Sequence, residues 1–278
     1  MSNTVDLIQQ ELDDALERDQ LDLPTLPEVA LRIRDTATKP DISPKELAGV
    51  VAEDPALATR FVRIANSPMF RAIREIDDLQ QAIGRIGVEY AANLAAGLAI
   101  ENMFQATSEI VDRKMRSVWT HACEVAAISG VLAKSFTRLR PDQATLAGLI
   151  HTIGVLPILT FAEDNPSLIR DSFALDQIIE NLHGKIGTKI LQHWDFSDDL
   201  VLVPGHYLDF DRHVAEADFV DLVMVSYLQT RFGSNHPHAA IDWSSVPAFN
   251  NVGLDPEFED AELEEYHEDV ATAKVMLA

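Results

Sequence analysis

The chain has 278 residues, 47% hydrophobic and 7% aromatic, which suits a folded protein with one large core or two modest ones rather than a disordered chain. Its formal charge is −23, unevenly spread: residues 1–140 carry 16 basic and 21 acidic side chains, residues 141–278 carry 6 and 24. Such a surface repels phosphate backbones and anionic lipid, so the expected partners include neither nucleic acid nor membrane.

The first 20 residues are acidic and lack the basic start and apolar middle of a secretory signal. No uninterrupted apolar run approaches the ~20 residues that span a bilayer. Cys123 has no second cysteine with which to form an internal disulfide. These features predict a cytoplasmic location.

Most of the chain reads as helix. Ser43, Pro44 and Glu46 form a capping box with proline at the first helical position, predicting a helix through Val51. Asp54-Pro55 repeats the start signal, and Leu57, Phe61 and Ile64 form one apolar stripe before Asn66-Ser67-Pro68 stops it. Leu79, Ile83 and Ile86 mark a short helix ended by Gly87, and residues 88–105 an alanine-rich one. The arginines at 60, 63, 71, 74 and 85 read as solvated helix faces.

From about 113 to 136 a long helix carries Trp119, His121, Val125, Ile128 and Leu132. Pro141-Asp142 opens the helix holding Leu146, Leu149, Ile150 and His151, which Gly154 ends. Residues 174–194 are helical with Gly184 and Gly187 as interruptions, which suggests close approach by another helix, since interior glycine costs about 1 kcal/mol relative to alanine. Residues 200–203 suit a short helix as well as a strand. Residues 216–232 are periodic, with Phe219, Leu222, Val223, Ser226 and Tyr227 along one side. The segment 255–278 has nine acids in its first fifteen residues and reads as a surface helix or a partly ordered tail. No alternating strand pattern or repeat is visible, so the fold class is all-α.

Of the nine histidines, His121, His151, His183 and His206 lie on or beside apolar helical stretches, and helices converging on a core can gather such residues into a metal site. His193, His213, His236, His238 and His267 sit in polar contexts and are expected at the surface. Cys123 follows His121 by two residues, about 200° round a helix, so the two form no dyad. Ser226 reads as a packing residue, and no Gly-rich phosphate loop occurs.

Residues 23–27 (LPTLP), 47–67 (LAGVVAEDPALATRFVRIANS), 82–87 (AIGRIG), 119–121 (WTH) and 147–154 (AGLIHTIG) together resemble the HDOD family, the HD-related output domain of bacterial signalling proteins. The resemblance runs from about residue 20 to 230. It implies an HD-type helical bundle (111–230) with an additional N-terminal helical subdomain (20–110), flanked by an N-terminal helix (1–19) and a C-terminal extension (231–278). It also implies a regulatory role in signal transduction through a protein partner or a small ligand.

A metallohydrolase of the wider HD type would use a histidine at His121, a His-Asp pair at 151 and 152, histidines near His183 and His206, and a late aspartate near Ser226. Here Thr152 stands at the aspartate position, Ser226 at the late one, and Tyr207 in the second place of what is often a His-His pair. Imidazoles without a carboxylate leave a divalent charge uncompensated, and a threonine hydroxyl carries none. The expectation is therefore a vestigial metal site at His121, His151, His183 and His206, with no catalytic residue and no cofactor, iron, manganese or zinc being the candidate ions. The alternative is a metal-dependent phosphohydrolase acting on nucleotides or cyclic dinucleotides, with Asp195 or Asp209 substituting in space.

Overall fold

A computed structural model describes residues 2–18, 21–70, 74–254 and 262–277. It is all helical, with no strand among the described residues. The helices are α1 Ser2–Glu17, α2 Glu28–Ala37, α3 Pro44–Val51, α4 Pro55–Ala65, α5 Leu79–Ile86, α6 Val88–Ala99, α7 Glu109–Phe136 and α8 Pro141–Ile150. They continue as α9 Val155–Glu163, α10 Pro166–Arg170, α11 Ser172–His193, α12 Asp198–Val201, α13 Val203–His206, α14 Phe219–Arg231, α15 Pro247–Val252 and α16 Glu262–Leu277.

Local chemistry sets the starts of the N-terminal helices. Ser43 Oγ accepts from the Glu46 amide at 3.3 Å while the Glu46 carboxylate accepts from the Ser43 amide at 3.0 Å, the reciprocal capping box. Asp54 accepts from the amides of Ala56 and Leu57 at 2.9 and 3.1 Å, and Asp78 from that of Gln81 at 2.8 Å. Helices α2–α6 form the N-terminal subdomain, and α6 carries it onto α8. Asn66 pins the loop after α4 through bonds to Ile76 N and O at 2.9 and 2.7 Å.

The HD-type bundle is centred on α7 and α8, with α14, α9 and α11 around them. Helix α7 is apolar on nearly every side from Ala122 to Ala133 because α8, α14 and α16 pack against different faces of it. The stretch Pro141–Glu163 is apolar enough and long enough to span a bilayer, contrary to the sequence expectation, but it is broken by a turn at 151–154 and its most apolar window is 89% buried within the fold. It is the core of the bundle.

Several elements differ from expectation. Helix α6 ends at Ala99 and tightens into a 3-10 turn to Met103. Helix α11 runs unbroken through Gly184 and Gly187. Residues 200–203 take the short-helix alternative: Leu200 and Val201 close α12, Leu202 is the joint, and Val203 opens α13 with Pro204 as a helix-starting residue. Helix α16 is docked rather than dangling: Tyr266, Ala273, Met276 and Leu277 are buried, and Lys134 of α7 pairs with Asp269 at 3.0 Å.

Arg60 is not a solvated residue; its guanidinium bonds to Glu101 and to the carbonyl of Leu277, tying α4 to the end of α16. Arg71 and residues 255–261 of the acidic segment lie outside the described residues. One continuous buried cluster extends from Leu12 on α1, which packs against α11, to Leu277 on α16.

Candidate functional site

Close helix crossings assemble the site. At the α7–α8 crossing a Cβ on Gly148 would overlap the backbone of Ala126, 2.6 Å from its nitrogen, so only glycine lets the helices meet this closely. That contact sets His151, three residues on, beside His121 of α7, with ring centroids 6.0 Å apart. On α11 a Cβ at Gly187 would stand 2.8 Å from Pro204 Cβ. The bare backbone there admits α13 and carries Tyr207 inward, its ring 4.8 Å from that of His151 and 5.6 Å from that of His183.

The structure thus brings together His121, His151 and His183 but not His206. Tyr207 takes the inner position and is 3% exposed, whereas His206 faces solvent. Successive residues on a helical turn point about 100° apart, so one register step decides which enters the core.

Helix α14 contributes Tyr227 and Arg231, not Ser226. The Ser226 hydroxyl donates to Leu222 O at 2.6 Å and accepts from Ser129 at 2.9 Å, within the α7–α14 contact. His236 and His238, expected at the surface, are half-buried because the chain turns back after α14 at Gly233 (φ +69°). Together these residues line a cavity of about 570 Å³ with Lys114, Thr152, Phe173, Asp176 and Glu180. Asp195 and Asp209 are not among the lining residues; Asp195 lines a separate groove between the N-terminal subdomain and the bundle.

The hydrogen bonds fix the tautomers. His151 Nδ1 donates to Gly148 O and His183 Nδ1 to Ile179 O, both at 2.6 Å, so each Nε2 carries a lone pair. The Nε2 of His183 accepts from the Tyr207 hydroxyl at 2.8 Å. The Nε2 of His121 accepts from the Arg231 guanidinium at 2.8 Å, and that guanidinium also lies over the Tyr227 ring, 4.8 Å from its centroid. The Tyr227 hydroxyl and His238 Nδ1 share a hydrogen bond of 2.8 Å. Burial holds His121, His151 and His183 below the ordinary imidazole pKa, His151 furthest, and the Arg231 charge pushes His121 and His151 the same way. Burial also raises the Tyr207 phenol, which therefore stays a donor.

These residues do not fit a divalent metal. Among the described residues no group of three or more His, Cys, Asp or Glu side chains is disposed to hold an ion. Two of the three converging Nε2 lone pairs are engaged, one by a fixed cation. Three carboxylates lie nearby and none is enclosed: Glu124 stands 4.0 Å from His121 Nδ1 and is 44% exposed, Asp176 is paired with Lys114, and Glu180 is 61% exposed. The buried carboxylate of α14, Asp221, is fully enclosed elsewhere by Arg212 and Asn251, each at 2.9 Å. Burial likewise pushes the Cys123 thiol up to about 12, which leaves it no nucleophile.

Sequence reasoning missed Arg231, His236 and His238, whose inward placement depends on the turn at Gly233. The usable signal was an arginine at the end of an apolar helix, four residues after an inward Tyr227.

Similar proteins share this architecture. A protein of Shewanella amazonensis SB2B, named as a suspected metal-dependent phosphohydrolase, is 29% identical, with a TM-score of 0.84 over 98% of this chain and 100% of that one. An HDOD domain protein of unknown function from Geobacter sulfurreducens is 20% identical, with a TM-score of 0.65 over 99% of both chains. An uncharacterized protein of Treponema pallidum (strain Nichols) is 23% identical over 194 residues, 65% of this chain and only 36% of the relative's length. The HDOD domain model matches residues 23–206, more than half the chain. The chain belongs to the HDOD family.

Proposed function

We propose that this chain is a non-catalytic regulatory domain of bacterial signal transduction, acting in the cytoplasm through a protein partner or a small ligand. The observation that carries the reading is the bond from Arg231 to the Nε2 of His121, which puts a permanent cation on a nitrogen that a metal would need. Phosphoester hydrolysis of the metal-dependent kind requires an ion that brings bound water toward a pKa of ~7. The carboxylate beside these imidazoles, Glu124, stands on the Nδ1 side of His121 rather than at its Nε2, and Thr152 offers only a hydroxyl. The name of the Shewanella relative describes that protein; the contacts at Arg231 and Tyr207 argue against carrying it over. The charge of −23 supports a partner other than nucleic acid or membrane.

The test is elemental analysis of untagged protein after incubation with iron, manganese or zinc, together with phosphate release from nucleotides and cyclic dinucleotides. Substoichiometric metal and no release are expected. One or two equivalents of metal, with release that His151→Ala abolishes, would establish the phosphohydrolase alternative instead.

A further inference from the structure

Helix α16 lies antiparallel along α7. Tyr266 meets Phe136 with ring centroids 5.8 Å apart, Asp269 pairs with Lys134 at 3.0 Å, and Lys274 pairs with Glu124 at 3.9 Å, so α16 advances as α7 recedes. Its seat on the bundle is narrow: Tyr266, Ala273, Met276 and Leu277 are its buried side chains among the described residues. The Tyr266 hydroxyl adds a bond to Gln229 of α14 at 2.6 Å. Both ion pairs are open to solvent, where such pairs contribute little.

The other side of α16 is hollow. Ala271, Thr272 and Val275 share with Thr59, Val62 and Arg63 of α4 a cavity of about 1030 Å³, and Val275 is 76% exposed. Arg60 of α4 fastens the end of the helix, its guanidinium reaching both the Leu277 carbonyl and Glu101. That guanidinium is imperfectly housed, since its Nε is buried without a partner among the described residues. Helix α16 thus bridges the N-terminal subdomain and the bundle while packing closely on the bundle alone. Ordering its 16 residues has a large entropic cost, and elements with few buried contacts open well below the free energy of global unfolding.

Cys123, the single cysteine, stands among these fastenings. It precedes Glu124 on α7, and the charges acting on its thiol are Arg60, Glu101 and Glu124. The residue is 4% exposed, so a reagent reaches it only after something is moved aside.

We propose that α16 is a releasable strap: it leaves α7 as a unit while the bundle stays folded, undoing the Arg60 tie between the two subdomains and uncovering Cys123. A partner that traps the released form would switch the chain between two arrangements. The device goes beyond the reading above and operates without a ligand at the histidine pocket.

Modification of Cys123 by a thiol reagent in the full chain, at rising urea below the unfolding transition, tests it together with hydrogen exchange of the backbone amides. Cys123 and the amides of α16 should report one opening, with a urea slope about half or less of that shown by the amides of α8. Arg60→Gln should speed the modification by about tenfold or more and keep the shallow slope, in protein whose helical circular dichroism is retained. If Arg60→Gln does not fold, the slopes of the unaltered chain decide alone. A slope for Cys123 or for α16 equal to that of α8, or an unchanged rate in folded Arg60→Gln, overturns the strap.

Discussion

Acidification should destabilise this fold in a pH range set by histidine rather than by carboxylates. His121, His151 and His183 are kept neutral chiefly by burial, and their folded pKa values lie below the ordinary one. In the unfolded chain each titrates near ~6.5. Between the two values the unfolded state binds more protons, so stability rises with pH. The contribution is complete above the unfolded pKa and is lost as pH falls below it toward the folded values. At about pH 5 the unfolded chain gains about 2 kcal/mol for each histidine that stays neutral in the fold, being about 1.5 pH units at 1.36 kcal/mol each. His151, 0% exposed, should come nearest that limit.

Urea unfolding followed by circular dichroism at about pH 7.5 and about pH 5 measures the loss. Comparison with His151→Gln, whose amide can still donate to Gly148 O, isolates one residue. The variant should lose less stability over the interval, by up to about 2 kcal/mol. Parallel losses in the two proteins would refute the argument, because His151 would then titrate alike in both states.

Three further outcomes follow from the packing. Tyr207→Phe keeps the ring against His151 but strips His183 Nε2 of its donor, and should cost about 1–3 kcal/mol in a urea titration. Gly148→Ala drives a methyl into the Ala126 backbone; a loss of about 1–3 kcal/mol or more is expected, together with displaced imidazole NMR signals from His121 and His151. Ser43→Ala removes half of the capping box on α3 and should lower stability by about 1 kcal/mol, leaving those imidazole signals unmoved.

What was legible in the sequence was what depends on near neighbours. Ser43 and Glu46, Asp54 and Asp78 sit within three residues of the amides they cap, so the N-terminal helix starts could be read directly. The all-helical fold and the convergence of His121, His151 and His183 followed from periodicity and from family resemblance. The choice of Tyr207 over His206 did not, because in a four-residue helix no periodic stripe exists to fix the register. Arg231, His236 and His238 were opaque for a different reason: a polar segment looks solvated until a turn folds it back over a pocket. Helix α16 was masked by its acids, although Tyr266, Val270, Ala273 and Leu277 recur at spacings of four, three and four, the mark of a docked face.

The guanidinium of Arg231 has a consequence for supply. A helical core of this ancestry that relied on an imported ion would be hostage to whatever the surrounding solution could furnish, and a chelator could empty it. On the reading proposed above, the positive charge is stitched into the polypeptide and arrives with translation, so the arrangement around His121 should form equally in metal-rich and metal-starved conditions.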